Sequence, residues 1–208
     1  WNVAGYDRDT AVKLCHEGIN PLVAVVLASR GQSARSDIDR MTGKCQEKLS
    51  NPMLLADMSK ASERVRQAIN GREHVAVYGD YDVDGITSSC LVADYLRSKG
   101  LTCDIYIPDR LEEGYGVKSQ ALDTIKSWGA SLVITVDCGI TAFEEARYAA
   151  ELGLDLVITD HHECGGETPQ ALAAVDPKRP DCESPAKDLA GVGVAFKLIC
   201  AVEGPESD

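Results

Sequence analysis

The fold is decided by the stretch His74-Val75-Ala76-Val77-Tyr78-Gly79-Asp80-Tyr81-Asp82-Val83-Asp84-Gly85. Its first five residues are mostly apolar and predict a short buried β-strand. The glycines and aspartates that follow predict a sharp turn, and residues 85–98 continue with the periodicity of a helix. A strand that runs through a polar turn into a helix is typical of a βα unit in a parallel sheet.

The same pattern recurs through the rest of the chain. Short apolar runs that predict strands occupy residues 74–78, 103–107, 131–136, 154–158 and 172–175. Windows that predict helices occupy residues 85–98, 118–128, 142–152 and 189–202. Strands of about five residues alternating with helices of about 10 to 15 residues indicate βαβ units. We therefore predict the α/β class, with a doubly wound and mainly parallel sheet.

The hydrophobic pattern of residues 1–70 differs from that of this sheet region. Helical signals lie at residues 9–15, 21–27 and 57–69, and the segments between them, 31–36 and 50–52, predict loops. We therefore predict an N-terminal helical extension of residues 1–70, followed by an α/β domain of residues 71–208.

Composition and charge restrict the class of protein. Hydrophobic residues make up 44% of the chain, which is typical of globular domains and excludes disordered and coiled-coil chains. Lys and Arg number 21 against 33 for Asp and Glu. The resulting net charge of −12 argues against a general nucleic-acid coat, because such a surface repels phosphates.

We expect the protein to be cytoplasmic. The eight cysteines form no Cys-x-x-Cys pair, which favours reduced structural thiols in a cytosolic protein. The chain begins at Trp1 without a charged and then apolar leader, so we expect no secretory signal. The longest segment without Asp, Glu, Lys or Arg, residues 18–29, has 12 residues. A membrane span needs ~18 or more, so we expect no membrane association.

Asp80, Asp82 and Asp84 alternate with other residues, so on an extended segment their side chains share one face. Three carboxylates packed together repel one another unless cations neutralise them, which predicts a metal site. The pattern also resembles the start of an EF-hand calcium loop, but the glutamate expected at the end of that loop is Leu91 here. A solvated acidic turn is the remaining alternative.

Further polar side chains follow other predicted strands. Asp137 comes after the run 131–136, and Asp160-His161-His162 comes after the run 154–158. Ligands of open α/β sheets bind outside the carboxyl ends of the strands, where these residues would gather. Carboxylate and imidazole donors suit Mn²⁺ or Mg²⁺, and two such ions bridged by a carboxylate are a known arrangement for phosphoryl chemistry. Taken alone, Asp137 could instead cap the next helix, and a double histidine is more often a surface pair.

Four segments in order resemble the motifs of the DHH phosphoesterase superfamily, and specifically of RecJ-type single-stranded-DNA exonucleases. They are residues 77–88, 136–140, 159–162 and 191–198. The resemblance covers nearly the whole chain, including residues 51–58 and 108–116. It implies a 5′-to-3′ exonuclease that hydrolyses phosphodiester bonds of single-stranded DNA by a two-metal mechanism, in DNA repair and recombination. A single-strand-binding protein or a helicase is a candidate further partner.

The resemblance also implies roles for individual residues. Asp82 would bind the first of two Mn²⁺ or Mg²⁺ ions, with Asp80 as a candidate partner. Asp137 would bridge both ions, and Asp84 and His161 would bind the second.

Other residues are implied around the substrate. Asp160 would be a metal ligand or an orienting carboxylate, and His162 would contact the scissile phosphate or help to protonate the leaving group. The expected catalytic set is therefore Asp137, His161 and His162. Arg110 is a candidate phosphate contact, with a solvated surface position as the alternative. Gly191 and Gly193 would form a backbone turn near the substrate, or simply the entry to a helix.

The chain also departs from the family pattern. RecJ-like proteins supply a further metal-binding Asp after the segment that matches residues 191–198, and this chain ends at Asp208. We therefore expect residues 1–208 to be an N-terminal part that can be inactive on its own.

Two alternatives remain open. DHH phosphodiesterases for nanoRNA or cyclic dinucleotides usually carry His where this chain has Tyr78. Inactive DHH-like scaffolds lose metal ligands, which are present here.

Overall fold

The computed structural model describes residues 4–41 and 49–204, and the chain divides into two compact units, residues 1–49 and 50–208. The described residues of the first unit form the helices α1 (Arg8–His16), α2 (Pro21–Ser29) and α3 (Arg35–Met41). Its small core is formed by Leu14, Ala24, Leu27 and Ile38. The helix starts follow from the sequence, because Asp7 and Asn20 accept hydrogen bonds from the first turns of α1 and α2.

The second unit contains the sheet. Its strands are β1 (Val75–Gly79), β2 (Cys103–Tyr106), β3 (Leu132–Val136), β4 (Asp155–Thr159) and β5 (Ala173–Val175). Its helices are α4 (Met58–Gly71), α5 (Val83–Ser98), α6 (Ser119–Ser127), α7 (Phe143–Glu151) and α8 (Gly191–Glu203), with a 3₁₀ helix at Pro52–Leu54. Each strand and helix that we predicted after residue 70 is present within a few residues of its expected bounds.

All strand pairs are parallel, and the order across the sheet is β2-β1-β3-β4-β5. The prediction of a doubly wound parallel α/β fold is therefore confirmed. Because β1 and β3 lie next to each other while their connections leave in opposite directions, the sheet has a switch point at their carboxyl ends. Crevices of this kind are the usual ligand sites of such sheets.

Alternate residues of each strand enter two separate cores, which explains why the strands read as continuous apolar runs. Val75 and Val77 of β1 pack in one core with α4, α5 and α8. Ala76 and Tyr78 pack in the other with α6 and α7. The sheet is thus covered by helices on both faces, and its chemistry is confined to its ends.

Helix α4 belongs to the sheet unit, although its sequence lies within the extension that we predicted for residues 1–70. Met58, Ala61 and Val65 are buried in the core beneath the sheet. Arg64 adds ion pairs of 2.6 Å to Glu73 and of 2.6 Å to Asp155. An amphipathic pattern predicts a helix but does not tell which core the helix joins, so the compact unit begins about twenty residues earlier than expected.

Among the residues that the structure describes, no helix combines the length and the apolar character needed to cross a membrane. The cysteines in this part of the chain are free thiols, and Cys45 lies outside it.

Candidate metal centre

The segment after β1 brings two carboxylates to the carboxyl end of the sheet. Asp80 is almost fully buried, and burial raises its pKa. Asp82 is the N-cap of α5, and its Oδ1 accepts hydrogen bonds from the backbone N–H groups of Asp84 at 2.8 Å and of Gly85 at 3.0 Å. These amides hold the pKa of Asp82 below its usual value, so this carboxylate is ionised.

Asp137 follows β3 in a left-handed backbone conformation, with φ 60°. This conformation is uncommon for a residue with a side chain, and such residues cluster at functional sites. Only 1% of Asp137 is exposed, and its Oδ1 has no hydrogen-bond donor. Burial, together with the charges of Asp84 and Asp82, raises the pKa of Asp137 to about 8. This buried carboxyl group therefore needs either a proton or a bound cation to balance its charge.

His161 faces Asp137 from the end of β4. Its Nε2 lies 3.0 Å from Asp137 Oδ1 and 3.6 Å from Asp84 Oδ2, and the pair with Asp137 does not have hydrogen-bonding geometry. An imidazole nitrogen and a carboxylate oxygen that lie this close without a hydrogen bond between them are donors that a shared cation would bind.

The described residues contain two groups of possible metal ligands. One is Asp80, Asp82 and Asp137, and the other is Asp137, His161 and His162. Within each group the donor atoms all lie within 4.8 Å of one another. Asp137 belongs to both groups, which is the position that we predicted for a bridging carboxylate.

Asp160 lies outside both groups, and both of its carboxylate oxygens already accept hydrogen bonds. Oδ1 accepts hydrogen bonds from the backbone N–H of His161 at 2.7 Å and from His162 Nδ1 at 2.7 Å, while Oδ2 accepts one from the N–H of Ile140 at 2.9 Å. Burial acts to raise the pKa of Asp160, but these hydrogen bonds outweigh it and lower that pKa. The same contact raises the pKa of His162. Of the two roles implied for Asp160, the geometry favours the orienting one.

Asp84 also lies outside both groups. Its Oδ2 accepts a hydrogen bond from the backbone N–H of Gly191, and its Oδ1 accepts one from Val192, each at 2.7 Å. Asp84 therefore caps α8 and ties the start of α5 to the start of the last helix.

Of the two glycines predicted near the substrate, only Gly191 contacts the cluster. A Cβ atom placed on Gly191 would lie 2.6 Å from Asp137 Oδ1, so no side chain fits there. A Cβ atom on Gly193 would instead meet Leu189 Cδ2 at 3.0 Å.

Arg110 is exposed in the loop after β2, and its Cζ lies 5.3 Å from the centre of the Tyr81 ring. Since Tyr81 separates Asp80 from Asp82, this contact places Arg110 beside the acidic segment.

Two further groups near the site were not among the residues we predicted. Asp176 directly follows β5, is fully buried, and has one oxygen, Oδ2, without a partner. Burial raises its pKa to about 6. The position of Asp176 directly after the apolar run 172–175 is a sequence signal that identifies it as a residue at a strand end. Tyr115 places its hydroxyl 3.2 Å from His162 Nδ1; it lies in the segment 108–116 that resembles the family, but we predicted no role for it.

The parallel sheet and the carboxylate and histidine donors at its switch point define a class, the α/β domains whose switch-point crevice can hold divalent cations. A family model described as the DHH family, N-terminal domain, matches residues 74–208. The chain belongs to the DHH family, which confirms the resemblance seen in the sequence.

Individual proteins and solved structures that resemble this chain include several RecJ exonucleases. The chain is 44% identical to the single-stranded-DNA-specific exonuclease RecJ of Bacillus subtilis over all of its own length, and 36% identical to that of Escherichia coli over 88%. It spans 27% and 31% of these two relatives. A crystal structure of exonuclease RecJ bound to manganese superposes with a TM-score of 0.65 at 35% identity, covering 72% of this chain and 38% of that one. RecJ of Thermus thermophilus in complex with Mn²⁺ superposes with a TM-score of 0.71 at 26% identity, covering 97% and 28%.

Proposed function

We propose that the protein is a 5′-to-3′ single-stranded-DNA exonuclease, and that this chain carries its metal centre. The observation that supports this most directly is Asp137, which belongs to both groups of donors. The names of the RecJ relatives support single-stranded DNA as the substrate, and the two RecJ structures with manganese support Mn²⁺ as a metal.

The residues present fit two divalent cations. Asp80 Oδ1 and Asp137 Oδ1 are buried oxygens without a hydrogen-bond donor. An unpaired buried carboxylate costs several kcal/mol, by order of magnitude, so it needs a proton or a cation. Hard oxygen donors with one or two imidazoles suit Mn²⁺ and Mg²⁺.

In this proposal Asp80 and Asp82 hold the first ion, His161 holds the second, and Asp137 serves both. Asp84 can join the second ion through the lone pairs that the amides of α8 leave free. When bound, the two ions supply positive charge to the phosphate and lower the pKa of a water molecule.

The remaining groups act on the phosphodiester itself. His162 donates a proton or a hydrogen bond to the phosphate or the leaving oxygen, and Asp160 holds its ring in place from Nδ1. Arg110 binds a phosphate oxygen, and Tyr81 supports its guanidinium. Gly191 lets the backbone of α8 approach the site, whereas Gly193 packs against Leu189 in the first turn of α8.

We further propose the setting of this activity. Residues 71–208 carry the catalytic groups, and residues 1–70 form an N-terminal helical extension whose last helix, α4, belongs to the same compact unit as the sheet. The enzyme works in the cytoplasm, in DNA repair and recombination, alongside a single-strand-binding protein or a helicase.

The test uses the full open reading frame that encodes these residues. A single-stranded 30-mer labelled at either end is incubated with Mn²⁺ or Mg²⁺, beside a dinucleotide and a duplex. We expect release of mononucleotides from the 5′ end of the single strand. Asp137→Ala should abolish it, while Asp94→Ala, a variant of a carboxylate on α5, should not. Preferred cleavage of the dinucleotide would favour the small-substrate alternative, and an active Asp137→Ala enzyme would refute the bridging role.

A further inference from the structure

The turn at residues 113–116 places an aromatic side chain against His162. The hydroxyl of Tyr115 lies 3.2 Å from His162 Nδ1, and the two rings meet edge to face with centroids 5.7 Å apart at 73°. Tyr115 is 44% exposed, so one side of it contacts His162 and the other is open to a ligand.

The turn is anchored on both sides of Tyr115. The hydroxyl of Tyr78, a fully buried residue of β1, donates to the carbonyl oxygen of Gly116 at 3.0 Å. The hydroxyl of Tyr106 donates to Glu113 Oε2 at 2.7 Å, and the rings of Tyr78 and Tyr106 are stacked with centroids 5.2 Å apart. The position of Tyr115 is therefore fixed by the sheet rather than by the loop alone.

The backbone of the turn is equally specific. Gly114 has φ 73° and Gly116 has φ 85°, the left-handed region that glycine adopts without strain. Glycine on either side of Tyr115 allows the tight turn in which its ring contacts His162 at the end of β4.

The protons can be assigned from the hydrogen bonds. Asp160 Oδ1 is 2.7 Å from His162 Nδ1 and is a carboxylate, so it takes the Nδ1 proton as the stronger acceptor. The hydroxyl of Tyr115 therefore contacts that N–H as a second acceptor. Its own proton is left for another acceptor, such as an oxygen of a bound phosphate.

We propose that Tyr115 is a positioning residue that, together with Asp160, fixes the ring of His162, and that Tyr78 acts through the anchored turn. The inference rests on the proposed function, because it takes His162 as a group that acts on the phosphate. It adds a path from the core of the sheet to the site, running from Tyr78 through Gly116 and Tyr115 to His162.

The activity test compares Tyr115→Phe, Tyr78→Phe and the double variant in the full-length enzyme. Each substitution keeps the ring and removes one hydroxyl. We expect kcat on single-stranded DNA to fall about 5- to 20-fold in either single variant, with KM changed less than about twofold, since proton transfer depends on orientation. The double variant should fall no further than Tyr115→Phe, because both hydroxyls act on one path. Tyr148→Phe, which removes a 2.7 Å hydrogen bond to Asp123, is the matched control and should be unchanged.

A second readout does not need activity. The ring nitrogens of His162 are observed by ¹⁵N NMR in the metal-free protein at a pH above the raised pKa of His162, where the wild type should show a single Nδ1–H tautomer. Tyr115→Phe and Tyr78→Phe should both shift or broaden these signals, and Tyr148→Phe should not. An inactive wild type would refute the proposed function and leave this comparison intact. Unchanged His162 signals, or single-variant losses that multiply in the double variant, would overturn the role of Tyr115.

Discussion

Replacing Gly191 by alanine should weaken Mn²⁺ binding, because the new methyl group would occupy the space of the Asp137 carboxylate. It would lie 2.6 Å from Oδ1, 2.7 Å from Cβ and 2.8 Å from Cγ of Asp137. Ordinary contacts of a Cβ atom begin at 3.4 Å, so either the carboxylate or the start of α8 must move by roughly 0.8 Å.

The size of the effect follows from this displacement. Overpacking of a buried site costs about 1 to 3 kcal/mol, which equals a factor of about 5 to 150 in a binding constant. If the carboxylate moves, the loss appears in the affinity for Mn²⁺. If α8 moves, the amides of residues 191 and 192 leave Asp84, and the loss appears in the free energy of unfolding.

Titration calorimetry with Mn²⁺ and urea unfolding measure these two quantities. Gly193→Ala is the matched control, since the tightest contact of its Cβ would be Leu189 Cδ2 at 3.0 Å, the end of a flexible side chain, while Leu189 Cβ and Cγ would lie at ordinary distances of 3.4 and 3.7 Å. Both substitutions add one methyl group to the first turn of α8. We expect the control to keep its affinity within about twofold. Wild-type affinity and stability in Gly191→Ala would refute the close packing against Asp137.

Further predictions concern protons and ion pairs. The affinity for Mn²⁺ should rise by about tenfold per pH unit from about pH 6 to pH 8 and then level off, because the Asp137 carboxyl, with a pKa of about 8, must lose its proton to bind metal. Calorimetry in buffers of different ionisation enthalpy should detect the released proton, and a flat profile would contradict the assignment. Asp160→Asn should lower the pKa of His162 and reduce kcat on single-stranded DNA by about tenfold or more, with His162 followed by NMR and Asp181→Asn as control. Arg64→Ala should destabilise the chain by about 1 to 3 kcal/mol in urea unfolding, because it leaves Glu73 and the half-exposed Asp155 unpaired. An unchanged midpoint would show that these pairs contribute nothing.

The succession of strands and polar turns along the chain was largely predictable from the sequence. Apolar runs ended by Asp80, Asp137 and Asp160 mark the carboxyl ends of three strands, and parallel pairing brings those ends together. The residue types then limited the chemistry to hard divalent cations.

The hydrogen-bond partners of the individual carboxylate oxygens were not predictable from the sequence. Spacing places Asp84 near Asp82, but its hydrogen bonds come from Gly191 and Val192, more than a hundred residues away. Asp160 is saturated by a backbone amide of another turn, that of Ile140. Such long-range partners depend on the final packing, which local periodicity does not encode.

Tyr78 illustrates the same limit. The sequence shows only that tyrosine stands where some DHH phosphodiesterases carry histidine. In the structure this side chain is fully buried, stacks on Tyr106 and holds the turn at Gly116. Its hydroxyl thus serves the loop beside the site rather than the metal centre itself.

The bond between Asp84 and α8 also dictates an order of assembly during synthesis. Asp80, Asp82 and Asp84 leave the ribosome about a hundred residues before the amides that Asp84 caps. Until residue 192 has emerged, Asp84 lacks the two amides that hold it, and contacts so far apart in sequence form slowly. The carboxylate of Asp84 would therefore be fixed in place only when α8 has docked, so the surroundings of Asp137 would be completed late in the folding of this domain.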